Sequence, residues 1–171
     1  PEPLNGVGKL FILHVGSPFP HKNIDRLINS FEILKQKHPS MQLVLAGKKE
    51  FYFEELERSL VNNPVRNSIV IPGFVSDSEL KWLYQNAAAY VLPSESEGFG
   101  LPGLEAMSHG CPLISSNATC LPEVYGDAAT YFNPLDINAM SKAISGVITD
   151  QGLRNKLKER GYKRLKLYSW E

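Results

Sequence analysis

The chain has 171 residues, 43% hydrophobic and 21% charged, and its 18 basic and 18 acidic side chains cancel. That length supports one domain around a single core, and the charge balance offers a nucleic acid no basic face. Cys111 and Cys120 are the only cysteines, too few for a disulfide framework and without metal-ligand spacing, so both read as reduced thiols. No leader pattern and no apolar run of membrane-spanning length is present. The expected setting is cytoplasmic, with any peripheral membrane association left to parts outside this chain.

Residues 1–8 hold two prolines and two glycines and no periodicity, and read as a linker from something before the domain at 9–171. Leu10 to Gly16 is a continuous apolar run, as for a central parallel strand buried on both faces. A loop with Pro18 and Pro20 follows, and Asn23 is expected to cap a helix with Ile24, Leu27, Ile28, Phe31 and Leu34 on one face. Met41–Ala46 reads as strand two, Phe53–Val61 as a helix, and Ser68–Ile71 as a short strand closed by Pro72-Gly73. Ser76-Asp77-Ser78-Glu79 is a capping box for the third helix. Ala88–Leu92 is a fourth strand, and the helix beyond it ends at Gly110 as the residue after the cap. Pro112–Ser115 is strand five, Pro122-Glu123-Val124 starts a short helix, and Ala128–Phe132 is strand six. Asp136 and Asp150 open the last two helices, and the text stops at Ser169-Trp170-Glu171 with no stop signal. Trp82 and Trp170 read as structural, and His14 as a buried, hydrogen-bonded histidine.

Strands alternating with helices give an α/β fold, a Rossmann-like parallel sheet with helices on both faces. The commonest order for six such strands is 3-2-1-4-5-6, which sets strands one and four side by side where ligands bind. The loops after them, Gly16–Lys22 and Ser94–Gly100, are the two unusual ones. The second runs Glu97-Gly98-Phe99-Gly100-Leu101-Pro102-Gly103-Leu104-Glu105. A strand, a glycine loop and a helix start with proline at its first position make an anion site, because the free N–H groups and the dipole favour negative charge. Gly98 and Gly100 permit close approach and positive φ. Glu97 and Glu105 flank the loop as acceptor-only groups suited to sugar hydroxyls. Lys22, just before the first helix, faces the same crevice as a compact cation for a diphosphate.

Other occupants of such a crevice are disfavoured. The first turn, Val15-Gly16-Ser17-Pro18-Phe19-Pro20, lacks the G-x-G-x-x-G pattern, and Ala46-Gly47-Lys48 offers no acid for a ribose, which disfavours a nicotinamide or flavin enzyme. The strand ends Val15-Gly16 and Ile71-Pro72 lack the aspartates of a phospho-receiver, and there is no Walker sequence or nucleophile elbow.

The text from Glu97 through Glu105 matches the E-x7-E signature, and the chain from about Lys9 onward resembles the C-terminal, nucleotide-sugar-binding domain of family-four retaining glycosyltransferases. The resemblance implies half of a GT-B fold and an N-terminal, acceptor-binding domain as partner. It implies an NDP-sugar donor, such as a GDP- or UDP-sugar, and transfer of a hexose such as mannose or glucose to an acceptor hydroxyl in polysaccharide biosynthesis. It assigns catalysis to Glu97 and Lys22, with Glu97 on the transferred sugar and Glu105 on the nucleotide ribose. Gly16, Ser17 and Lys22 correspond to the diphosphate contacts, with Gly98, Phe99, Gly100 and Leu101 in the loop. Phe74 and Val75 correspond to the base contact. No metal or other cofactor is implied. Many members carry arginine where this chain has Ser17, which throws more of the diphosphate onto Lys22. On this reading the chain alone binds donor and transfers nothing. The alternatives are a non-catalytic nucleotide-sugar-binding module and half of a sugar-nucleotide epimerase.

Overall fold

A computed structural model describes residues 3–168, so the expectations for Trp170 and for the end at Ser169 lie outside the described residues. The strands are β1 (Phe11–Val15), β2 (Gln42–Ala46), β3 (Ile69–Gly73), β4 (Ala89–Leu92), β5 (Leu113–Ser116) and β6 (Ala129–Phe132). They form one parallel sheet in the order β3-β2-β1-β4-β5-β6. The helices are α1 (Ile24–Lys37), α2 (Phe51–Ser59), α3 (Asp77–Asn86), α4 (Leu101–Ser108), α5 (Leu121–Tyr125), α6 (Ile137–Ile148) and α7 (Gln151–Leu165).

Strand alternation divides the core in two. Ile12, Leu43, Leu45 and Ile114 point to one face, where Leu27 and Phe31 of α1 and Met140 and Ile144 of α6 cover them. Leu13, Val44, Tyr90 and Leu113 point to the other, under Leu83, Leu104, Met107 and Tyr125. Each fully buried side chain of this size contributes about 1.5–3 kcal/mol. Burial on both faces is why these strands read as unbroken apolar runs. Trp82 stacks on Phe11 at 5.9 Å between ring centroids, a packing role.

Several boundaries differ from the sequence reading. Helix α2 starts at Phe51, two residues early, and α4 starts at Leu101, which puts Pro102 at its second position. Strand β3 continues through Pro72 to Gly73, because an edge strand can spare one N–H. Residues 3–8, read as a linker, lie against the domain. Leu4 and Val7 pack on the second core, and Gln42 receives the Gly8 N–H at 2.6 Å and donates to Gly6 O at 3.1 Å.

The expected caps at Ser76, Asp136 and Asp150 all form. The cap at Asn23 does not. Asn23 precedes α1 but sits at φ 62°, where its side chain accepts no backbone N–H of the first turn. Its amide instead donates to Pro93 O at 2.9 Å and Pro134 O at 2.8 Å.

Candidate functional site

Pairing of Ile12 with Ala89 and Leu13 with Tyr90 sets β1 beside β4, so the loops after them meet at the carboxyl edge of the sheet. Four bonds tie these loops. The Glu95 N–H donates to His21 O at 2.9 Å, and Asn23 reaches Pro93. Arg26 donates to Glu95 Oε1 at 2.6 Å while holding Asn23 Oδ1 at 3.0 Å. Lys22 Nζ donates to Glu97 Oε1 at 2.6 Å, with the two side chains 17% and 9% exposed. Two residues 75 positions apart in sequence thus share one half-enclosed ion pair.

Ser94, fully buried, donates its hydroxyl to the same Glu97 Oε1 at 2.7 Å. Both bonds fall on Oε1, and Oε2 has no partner among the described residues. Ser94 gave no signal in the sequence; only the fold places it under Glu97.

His14 lies beneath this pair, as expected of a buried histidine. Its Nδ1 donates to Val91 O at 2.9 Å, which leaves Nε2 buried without a partner. Burial foremost, with help from the Lys22 charge, pushes its pKa from 6.5 down to about 4, against the Val91 bond and Glu97. His14 is therefore neutral at pH 7. The Tyr90 hydroxyl, pushed up mainly by burial and further by Glu105 and Glu97, stays protonated and bonds Val15.

The glycine loop is built unevenly. Gly100 sits at φ 88°, and a Cβ there would meet Tyr125 Oη at 2.5 Å and Leu121 Cδ2 at 2.8 Å. Tyr125 also donates its hydroxyl to Gly100 O at 2.5 Å, so glycine is obligatory. Gly98 differs from expectation: its φ is not positive, and a Cβ would meet nothing within 4 Å. What it offers is open approach. Helix α4 begins after Gly100 without a side-chain cap. Pro102 has no N–H and the Gly103 N–H donates to Gly100 O at 3.2 Å, so the amides left for a ligand are those of Gly98, Phe99, Gly100 and Leu101, which have no partner among the described residues.

Glu105 is the fifth residue of α4, past its first turn, so the dipole gives it little reason to be acidic. It is exposed and makes no ion pair among the described residues, and its carboxylate adds to the burial that chiefly pushes the Tyr84 hydroxyl up. Gly16 lies at φ 125° with space where a Cβ would be, and Ser17 is half-buried. Phe99 is 42% exposed, edge-on to Tyr168. Leu101 is exposed at the helix start. Phe74 and Val75 follow β3 on the same edge, two strands away from β1; Phe74 is 80% exposed and Val75 packs on the core. No hydrogen bond joins them to the Lys22–Glu97 pair.

Sequence reasoning missed the aromatic rim. Phe19, Phe51 and Tyr52 stay exposed beside the first loop, with Phe19 edge-on to Tyr52 at 5.0 Å. The signal was an aromatic pair at a helix start, which the late boundary for α2 concealed. Cys111 and Cys120 are both free thiols. Among the described residues no three His, Cys, Asp or Glu side chains gather as metal ligands would, and no helix is long and apolar enough to cross a membrane.

Known proteins share the family and the fold of this chain. The chain is 36% identical over 165 residues to the O-antigen chain mannosyltransferase B of Escherichia coli, covering 94% of this chain and 42% of that protein. It superposes with a TM-score of 0.77 and 25% identity on the crystal structure of the C-terminal domain of a glycosyl transferase group 1 family protein (LpcC) from Francisella tularensis, covering 93% and 85% of the two chains. With sucrose-phosphate synthase from Thermosynechococcus elongatus the TM-score is 0.79 at 26% identity, covering 93% of this chain and 41% of that one. The chain spans less than half the length of the curated relatives it matches. The profile of the glycosyl transferases group 1 family matches residues 2–164, and the chain belongs to that family.

Proposed function

We propose that this chain is the donor-binding domain of a retaining glycosyltransferase, taking a nucleotide sugar into the crevice between the loops after β1 and β4. The observation that carries the reading is the Lys22–Glu97 pair at 2.6 Å beside an uncapped helix start. A cation, a row of free amides and an acceptor-only carboxylate are what a sugar diphosphate requires, and they stand within one ion pair of each other.

The pair also suggests an order of events. An arriving diphosphate competes for the Lys22 ammonium, and its charge is met by Lys22 and the Gly98–Leu101 amides. Glu97, still fixed through Ser94, then accepts hydroxyls of the sugar. As the bond from the sugar C1 to the diphosphate oxygen breaks, negative charge grows on the diphosphate, where Lys22 and the amides stabilise it. The acceptor hydroxyl oxygen forms the new bond to C1 with retained configuration, and its proton passes to the departing diphosphate oxygen. Glu105, solvated on the α4 surface, holds the ribose, and the exposed Phe74 and half-buried Val75 take the base. Lys22 and the amides meet the diphosphate without a resident metal.

The E. coli relative is named a mannosyltransferase, which favours mannose as the sugar and a polysaccharide as the acceptor. The acceptor belongs to an N-terminal domain of the same enzyme, in the cytoplasm, and the exposed rim of Phe19, Phe51 and Tyr52 suits a surface that such a domain covers. The test is to titrate the chain with UDP-, GDP- and ADP-sugars by calorimetry. Binding of one of them supports the reading; binding of none overturns it.

A further inference from the structure

Among the described residues only two non-glycine residues have positive φ, Asn23 at 62° and Thr119 at 51°. Both bond the β4–α4 loop from its two neighbours. Asn23 reaches it from the β1–α1 loop through Pro93 O, as already described. Thr119 reaches it from the β5–α5 loop. Its hydroxyl accepts the Glu97 N–H and donates to the Glu97 carbonyl, each at 3.3 Å.

Asparagine visits the left-handed region readily, but threonine, branched at Cβ, is an outlier there. Thr119 is also exposed, so burial does not offset its strain. The turn into α5 does not explain the residue, because glycine would make that turn without strain. What threonine has and glycine lacks is the hydroxyl, and the hydroxyl goes to the backbone N–H and C=O of Glu97, the carbonyl also lying 3.5 Å from Cys120 Sγ. Strain of this kind persists where the surroundings over-determine it, at ligand clamps above all. The Glu97 side chain is fixed by Lys22 and Ser94, and its backbone is fixed by Thr119.

We infer that Thr119 is a positioning residue for sugar recognition, holding the Glu97 peptide so that the carboxylate stands at a set distance from the transferred sugar. This rests on the donor-binding reading above. Thr119 acts through Glu97, so its loss should be felt by the sugar and hardly by the nucleotide.

The test uses Thr119→Ser, Thr119→Ala and Thr119→Gly. The wild-type chain is titrated with GDP-mannose, UDP-glucose and ADP-glucose, and the tightest is compared with its own nucleoside diphosphate across the variants. Serine keeps the hydroxyl and should stay within about twofold of wild type, whereas alanine and glycine should lose about five- to tenfold for the sugar nucleotide and under about twofold for the diphosphate. Melting temperature should follow a different order, with glycine above alanine because only glycine relieves the backbone. Affinity then tracks the hydroxyl while stability tracks the strain, a split that a purely structural role would not produce. Wild-type affinity in Thr119→Gly, or equal losses for sugar nucleotide and diphosphate, overturns the role of Thr119 and leaves the donor-binding reading standing. A wild-type chain that binds none of the three overturns that reading, and the role of Thr119 with it.

Discussion

Helices α3 and α6 start after the outermost strands, and both are capped by their own sequence. Ser76 accepts the Glu79 N–H at 3.2 Å and Glu79 answers to the Ser76 N–H at 2.8 Å. Asp136 accepts the Ala139 N–H at 2.9 Å. Helices α1 and α4 start after the central pair, β1 and β4, and neither has a side-chain cap. Each instead follows a left-handed residue, Asn23 or Gly100. The orphan N–H groups of a helix start have to be met by something. At the sheet margins the chain meets them itself. At the centre it forgoes that stabilisation, and nearby it also tolerates a partnerless His14 nitrogen and a strained Thr119. Helices α2 and α5 lack a side-chain cap as well, and the buried Tyr84 hydroxyl of α3 is also without a partner, so what sets the centre apart is a left-handed residue before each helix.

The contrast between centre and margin can be broken at several points. The largest effect is expected at Gly100→Ala, which meets both positive φ and the Tyr125 hydroxyl and should cost about 3–4 kcal/mol in urea unfolding. Gly98→Ala, two residues away, should leave stability within about 0.5 kcal/mol, because its Cβ enters open space. Equal costs would mean that the loop is not divided as described.

Next is the acid sensitivity of His14. Unfolded, it takes up a proton near its ordinary value of 6.5; folded, only near 4. Stability is therefore complete above pH 6.5 and falls as pH drops toward 4, by about 3 kcal/mol from this group. His14→Leu should flatten that part of the curve, measured by urea unfolding at pH 7.5 and 4.5. An unchanged slope would place the acid sensitivity elsewhere.

The smallest effects belong to the margins. Ser76→Ala and Asp136→Ala should each cost about 1 kcal/mol of stability. Neither should change ligand affinity; a change in affinity would erase the distinction between margin and centre.

The same contrast decides what is legible in the sequence. The strand order follows from alternation and apolar runs, and the caps at Ser76, Asp136 and Asp150 follow from local spacing, since each bond spans three residues. The meeting of Lys22 and Glu97 is legible too, because topology brings their loops together. Asn23 misleads for a physical reason: asparagine at a helix start is a good cap only with extended backbone, and here φ 62° turns its amide toward carbonyls 70 and 111 residues away. Ser94 and the Thr119 hydroxyl are silent for a similar reason. A serine three residues before Glu97 and a threonine 22 residues after it carry no periodic or motif signal. Tyr125, which makes glycine obligatory at position 100, is likewise known only once α5 packs against α4.

The central claim is that the crevice is made for a diphosphate held by Lys22. The direct measurement is the affinity of wild type and Lys22→Ala for a nucleoside and for its diphosphate, using guanosine, uridine or adenosine according to which diphosphate the wild type binds. With Ser17 supplying no charge, Lys22 is the one full cation at that place in the loop. Its loss should weaken the diphosphate by about ten- to a hundredfold, equivalent to about 1.5–3 kcal/mol, and the nucleoside by less than about twofold. Restoring charge with Ser17→Arg in the same chain should recover part of the difference. Equal losses for nucleoside and diphosphate would show that Lys22 does not touch the phosphates, and would contradict the account.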